Sequence, residues 1–275
     1  AHGMTLIKTA DGAFTPANQN SLYGVFYVFA NEIANRMVDG QVCYVHSEKL
    51  TLKFFKLDGS NALKTVKMFP ASAKAKCARW LDVQVAFSPD GKYAYYSNLA
   101  GTPYDGKKPP DIGPNWPQGR VYRHDLTAPD GGAKKFFDLV LPDFEKQKYW
   151  MPSAWDKKTA AAGVDVDAKG NVLVCDLVNG AVVEISPEGK QLSATKIPWP
   201  DKVIVNRKTG DLYVVSRKVS RGGLPPAKLY KITGRGDGAR IAAELQLKGL
   251  VGAAITLDES SKPPVLWLAG TVSGA

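Results

Sequence analysis

The chain has 275 residues, 44% of them hydrophobic and 23% charged, the composition of a globular protein able to bury a sizeable core. No charge-free apolar stretch reaches the length of a bilayer, so no membrane span is expected. The formal charge is +10, from 36 Lys and Arg against 26 Asp and Glu, but the basic residues are scattered, without a zinc knuckle, a basic helix or an aromatic RNP-like strand. That excludes nucleic acid as the expected partner and leaves an anionic small molecule or an acidic protein, beside the plainer reading of a solvated basic surface.

Met4 to Gly12 reads as one strand ending in a turn, and it looks like the third strand of a later unit, where Val182 to Gly189 is VVEISPEG. Val25 to Phe29 is a continuous apolar strand, Asn31 to Arg36 a polar link, and Gln41 to His46, Leu50 to Leu57 and Ala62 to Phe69 complete a first unit. Asp82 to Ser88, the turn Pro89-Asp90-Gly91-Lys92 and Tyr93 to Ser97 begin a second. It is interrupted by an insertion at 99–119, rich in proline and glycine and unable to continue a sheet. Arg120 to Asp125 and Lys134 to Leu141 resume it, and a second insertion follows at 142–162. Loops this long are usually functional or mobile. Each carries tryptophan, and Trp116 and Trp155 are the expected ligand contacts.

Gly163 to Pro200 holds four short alternating runs, at Val164 and Val166, Val172 to Cys175, Ala181 to Ile185 and Leu192 to Ile197. They are separated by turns that predict a four-stranded antiparallel meander. Ala168-Lys169-Gly170-Asn171 and Pro187-Glu188-Gly189-Lys190 each offer a glycine for the positive φ of a tight hairpin. Lys202 to Asn206, Asp211 to Ser216, a basic loop Arg217 to Pro226, Lys228 to Thr233 and Arg240 to Leu247 repeat the pattern. Two last strands follow, Ala253 to Leu257 and Pro264 to Ala269.

The first hairpin of the unit recurs as VAFSPDGKYAYYSN from Val85, VDVDAKGNVLVCD from Val164, VIVNRKTGDLYVVS from Val203 and AITLDESSKPPVLWLAG from Ala254. Four strands repeated at this period predict an all-β fold, a β-propeller of four-stranded antiparallel blades. The chain is expected to be a single domain, 1–275, of four complete blades and one composite blade. In that blade the N- and C-terminal strands would pair and close the ring, removing two sheet edges. Five blades are expected, or six if Thr15 to Asn35 holds further strand. A fragment of a larger protein, with the ring incomplete, is the competing reading.

Gly163-Val164-Asp165-Val166-Asp167, Gly170-Asn171 and Asp176 fit a motif of the form GVAVD-x-x-GN-x-φ-φ-x-D, and on these residues the chain resembles the NHL and SMP-30/gluconolactonase-type propellers. Asp82 to Asp125 is more weakly similar to the yellow/royal-jelly branch. Propellers of this kind usually bind ligands on the face formed by loops leading into the innermost strand and by loops after the second strand. At those positions stand Asp82, Trp155 and Asp201, and His46, Asn98, Asp176, Ser216 and Arg217. Asp82, Asn98, Asp176 and Asp201 supply the oxygen atoms that a hard divalent cation wants. The resemblance implies Ca²⁺ or Zn²⁺ there, with Asp176 and Asp201 serving catalysis in a metal-dependent hydrolase of a lactone or ester. Two departures weigh against it: Asp82-Val83 and Pro200-Asp201 replace the Asn-Gly usual at the start of an inner strand, and Glu32 is only a loose stand-in for an early Glu-Gly-Pro. The plainer reading of Asp176 and Asn98 is a polar cap bonded to its own turn. The expected function is a propeller binding a small molecule or a partner on its loop face, its catalytic status open, with the hydrolase as the alternative.

Other chemistries find no support. His2, His46 and His124 accompany no nucleophile motif, and His124 reads as a surface or sheet residue. No CxxCH, P-loop or GxGxxG signals haem or a nucleotide. The segment Arg217 to Arg221 would attract an anion at the rim if it is more than a solvated loop. Cys43 and Cys175 sit in apolar strands as small buried hydrophobes, and with Cys77 they make neither a disulfide framework nor a metal cluster. A start of Ala1-His2-Gly3-Met4 fits the mature form of an exported, extracytoplasmic protein, or a cloning remnant.

Overall fold

A computed structural model describes residues 6–10, 13–18, 32–36, 41–46, 50–55, 64–69, 83–97, 119–140, 161–177, 179–217, 227–247, 250–259 and 262–272. Among the described residues there are strands and two short 3₁₀ turns but no α-helix. No helix of theirs is long and apolar enough to cross a membrane. β1 (Leu6–Ala10) and β2 (Ala13–Asn18) form a hairpin. β3 (Glu32–Arg36), β4 (Gln41–His46), β5 (Thr51–Phe55) and β6 (Lys64–Lys67) make the first four-stranded sheet. The second contains β7 (Gln84–Phe87), β8 (Tyr93–Ser97), β9 (Arg120–Asp125) and β10 (Ala133–Asp138). The third contains β11 (Ala161–Val166), β12 (Val172–Asp176), β13 (Ala181–Ile185) and β14 (Gln191–Lys196). The fourth contains β15 (Pro200–Val205), β16 (Leu212–Ser216), β17 (Ala227–Thr233) and β18 (Arg240–Leu247). β19 (Leu250–Asp258) and β20 (Val265–Val272) form a last hairpin, and every pairing is antiparallel between strands adjacent in sequence.

The turns follow from residue type. Asp167 Oδ1 accepts the N–H groups of Lys169 and Asn171 at 2.9 and 2.8 Å, and Asn206 Oδ1 accepts those of Lys208 and Thr209 at 2.9 and 3.0 Å. Short side-chain acceptors of this kind stand in for a backbone turn. Gly170 and Gly189 close their hairpins at φ +84° and +85°, as their sequence context predicts.

Strand alternation then decides how the sheets stack. In β8, Ala94 and Tyr96 pack with the first sheet's Cys43, Leu52 and Phe54, whereas Tyr95 points the other way, onto Val164, Val166 and Val172 of the third. Val172 and Val174 share that second core, while Leu173 and Cys175 face Val203, Leu212 and Val214 of the fourth sheet. Val215 with Leu247 meets Ile255 and Leu268 of the last hairpin. The second, third and fourth sheets are thus covered on both faces by their neighbours in chain order, and β12, VLVCD, is buried at every residue. Burial on both faces accounts for the unbroken apolar residues from Val172 to Cys175, where alternation is expected from the sequence. The first strands β3, β7, β11, β15 and β19 touch one another in succession and form the inner row. The core reading of Cys43 and Cys175 holds, for both are buried among apolar neighbours.

Three expectations change. Glu32–Arg36, read as a polar link, is β3, paired from Glu32↔Val45 to Arg36↔Gln41. Pairing is a backbone property that does not require apolar alternation. The N-terminal strand has a partner, β2, across Ala10↔Ala13. The second insertion ends before Ala161, since Ala161 and Ala162 already belong to β11. Val25 to Phe29, Cys77 and nearly all of both insertions lie outside the described residues. The two terminal hairpins stand as separate two-stranded sheets, so the composite blade is not among the described pairings.

His124 in β9 is fully buried. Its Nε2 lies 2.8 Å from the Pro129 carbonyl and its Nδ1 2.9 Å from the Tyr96 hydroxyl. A carbonyl only accepts, so Nε2 carries the proton and Nδ1 accepts from Tyr96. Burial lowers the imidazole pKa, against a smaller upward pull from the Pro129 bond. The unfolded ring titrates near 6.5, so its contribution to stability is complete above about pH 6.5 and is lost as pH falls towards and through the lower folded value. Thermal denaturation from pH 8 to pH 5 is expected to show this decline, and His124→Gln to remove part of it. Superimposable profiles for the two proteins would show that the ring does not titrate with unfolding.

Candidate functional site

The pairings Gln84↔Ser97, Ala161↔Asp176, Pro200↔Ser216 and Leu250↔Val272 set the leading ends of the inner strands beside the trailing ends of the second strands, at one end of every sheet. At that end three successive inner strands carry one extra residue each. The register slips between Ala161 and Val164 in β11, between Pro200 and Lys202 in β15, and between Leu250 and Gly252 in β19. Such bulges bend a strand and re-aim its side chains, and they gather beside binding sites. Asp201 is the extra residue in β15. The bulges of β11 and β15 nest against each other: a Cβ on Gly163 would stand 2.7 Å from Lys202 Cα and 2.8 Å from the Asp201 carbonyl oxygen.

Asp201 and Arg217 come together, with Nη2 to Oδ2 at 3.1 Å, and the side chains are 8% and 20% exposed. Ser216 Oγ donates to the Pro198 carbonyl, and the Arg217 N–H donates to the Trp199 carbonyl at 3.0 Å. Asp176, also buried, accepts the backbone N–H of Asn179 on Oδ1 at 3.0 Å and the Asn179 amide on Oδ2 at 2.8 Å. The same amide reaches the Val140 carbonyl at 2.7 Å, tying the base of the second insertion to this turn. Ile197 N–H donates to the Gly180 carbonyl at 3.0 Å. The segment 197–200 is therefore held on one side by the Asp176 turn and on the other by Ser216 and Arg217. Ser97 Oγ donates to the Ala162 carbonyl, so the bulge of β11 is bonded to the preceding sheet.

The backbone of His46 closes β4 opposite Thr51. Asp82, Asn98, Trp116 and Trp155 lie outside the described residues. Of the expected metal set, Asp176 and Asp201 are thus seen, the first engaged by Asn179 and the second by Arg217. Among the described residues no three His, Cys, Asp or Glu side chains converge as a metal-ligand group. Sequence reasoning missed Asn179, Ser97 and Trp199. The Pro-Trp-Pro of Pro198 to Pro200 was the available signal for the last.

No family model matches the chain, and no curated protein matches it. Solved structures do. Hydrazine synthase from Kuenenia stuttgartiensis superposes with a TM-score of 0.52 at 12% identity, covering 89% of this chain and 57% of that one. A luciferin-regenerating enzyme gives 0.47 at 17% identity, covering 90% and 76%. Regucalcin, a calcium-binding protein from Agrobacterium tumefaciens, gives 0.39 at 15% identity, covering 78% and 63%. The chain spans little more than half of the hydrazine synthase chain, that likeness speaks for the fold alone, and the lower superpositions add no argument. With its stacked four-stranded antiparallel sheets this chain is an all-β protein of β-propeller architecture.

Proposed function

We propose that the chain is a ligand-binding propeller whose loop face, at the leading ends of β11, β15 and β19, receives a small molecule. The repeated bulge carries this reading: three successive inner strands give up a regular ladder at the same end, the end where the loop face lies. The carboxylates there are held by neighbours, which suits a preorganised face. In a metal-dependent hydrolase Asp176 and Asp201 would hold the cation with the lone pairs that Asn179 and Arg217 leave open.

The test is a thermal-shift screen of small molecules, with and without EDTA, Ca²⁺ and Zn²⁺, followed by hydrogen exchange with the hits. Hits are expected to raise the melting temperature without added metal and to protect residues 161–164, 197–201 and 216–217. Protection confined to the opposite turns at 167–171 and 206–210 would overturn the proposal. Stabilisation that appears only with the metal would do so in favour of the hydrolase.

A further inference from the structure

Trp199 stands at φ +50°, in the left-handed region, where a bulky residue is strained and where glycine or asparagine would serve better. Pro200 adds to the cost, since a residue before proline favours extended backbone, and the Arg217 N–H on the Trp199 carbonyl holds the conformation. An ordinary reason for a tryptophan at a costly position is burial, yet Trp199 is 43% exposed. The strain therefore serves to hold a large π-surface out at the loop face rather than to fill the core. A backbone outlier maintained against its cost in this way marks a site. Beside it lies the Arg217–Asp201 pair, in which the arginine side chain is the more exposed, 20% against 8% for the aspartate. The whole chain carries +10, which favours an anion approaching from solution.

We propose that Trp199 is the stacking platform of a subsite for a planar aromatic ring bearing a carboxylate. The inference rests on the loop-face reading above and names the ligand class of that face. The indole takes the flat face of the ring in offset or edge-on contact. The positive side of the ion pair favours the carboxylate.

Benzoate and cyclohexanecarboxylate separate the two contributions, because they share a charge and differ in planarity. Ligand-detected NMR titration of the whole chain is expected to show benzoate binding about tenfold more tightly than the saturated acid. Trp199→Gly is expected to weaken benzoate by about tenfold and to abolish the difference. Its melting temperature should stay level or rise, because glycine is at ease at this φ. A wild-type chain that does not distinguish the two acids would overturn the proposal. So would a Trp199→Gly protein that melts several degrees lower, since the indole would then be a structural wedge. If other hits still protect residues 197–201 while neither acid binds, this inference falls and the loop-face reading stands. If no hit protects that face, the earlier reading falls.

Discussion

Gly163→Ala is expected to cost about 3 kcal/mol or more, and Gly163→Val to prevent stable folding. The reason is geometric rather than conformational. The new Cβ would lie 2.7 Å from Lys202 Cα, 2.8 Å from the Asp201 oxygen and 3.0 Å from the Val203 nitrogen. All three are backbone atoms of a neighbouring inner strand, which cannot rotate aside as a side chain would. Relief requires β11 and β15 to separate, and with them the core formed by Leu173, Cys175, Val203 and Val214. In a chain of this size the alanine variant should melt roughly 10 °C lower. Gly131→Ala is the control, because nothing lies within 4 Å of the Cβ it would add. Equal melting temperatures for the two variants would mean that the inner strands do not pack as closely as described.

Arg207→Ala is the second large effect, expected at about 3 kcal/mol. Arg207 Nη2 lies 3.2 Å from Asp165 Oδ1 in the third sheet, and Nη1 lies 3.9 Å from Glu259 Oε2 just past β19. Its backbone N–H donates to Glu259 Oε1 at 2.6 Å, and Asp165 Oδ2 accepts the Val205 N–H at 2.9 Å. One guanidinium thus joins three successive units at the end of the sheets opposite the bulges. Burial pushes the Asp165 carboxyl above the usual range although Arg207 pulls it down, with Glu259 adding to the rise. Without the cation, two carboxylates would face each other partly desolvated. A double-mutant cycle of Arg207→Ala with Asp165→Ala measured by urea denaturation should return a coupling above about 1 kcal/mol. Additive losses would show that the pair does not act as a unit.

The repeat was legible because its signals are local. Asp167, Gly170, Asn171 and Gly189 lie within a few residues of the turns they make, and residue type specifies their conformation. The alternating runs likewise placed the strands of the last three sheets to within a few residues. The loop face was legible only as a set of positions. Asp176 and Asp201 stand at the predicted end of the sheets, but nothing in their local sequence says that Asn179 and Arg217 engage them. The bulges were invisible because a one-residue slip depends on how β11 and β15 meet, forty residues apart in the chain. Trp199 was missed for a related reason: a left-handed tryptophan is disfavoured locally and is held by a bond from Arg217, eighteen residues on. β3 escaped because Glu32 to Arg36 carries no alternation for a pattern to detect.

Every strand in the described sheets hydrogen-bonds only to strands next to it in sequence. Loop closure for each ladder is therefore cheap, and the contacts that bring distant parts of the chain together are those of one sheet laid on the next. A nascent chain can finish the hydrogen bonding of one unit while the following unit is still being synthesised. What such an intermediate leaves open is a broad apolar sheet face, waiting for the neighbour that the ribosome delivers next.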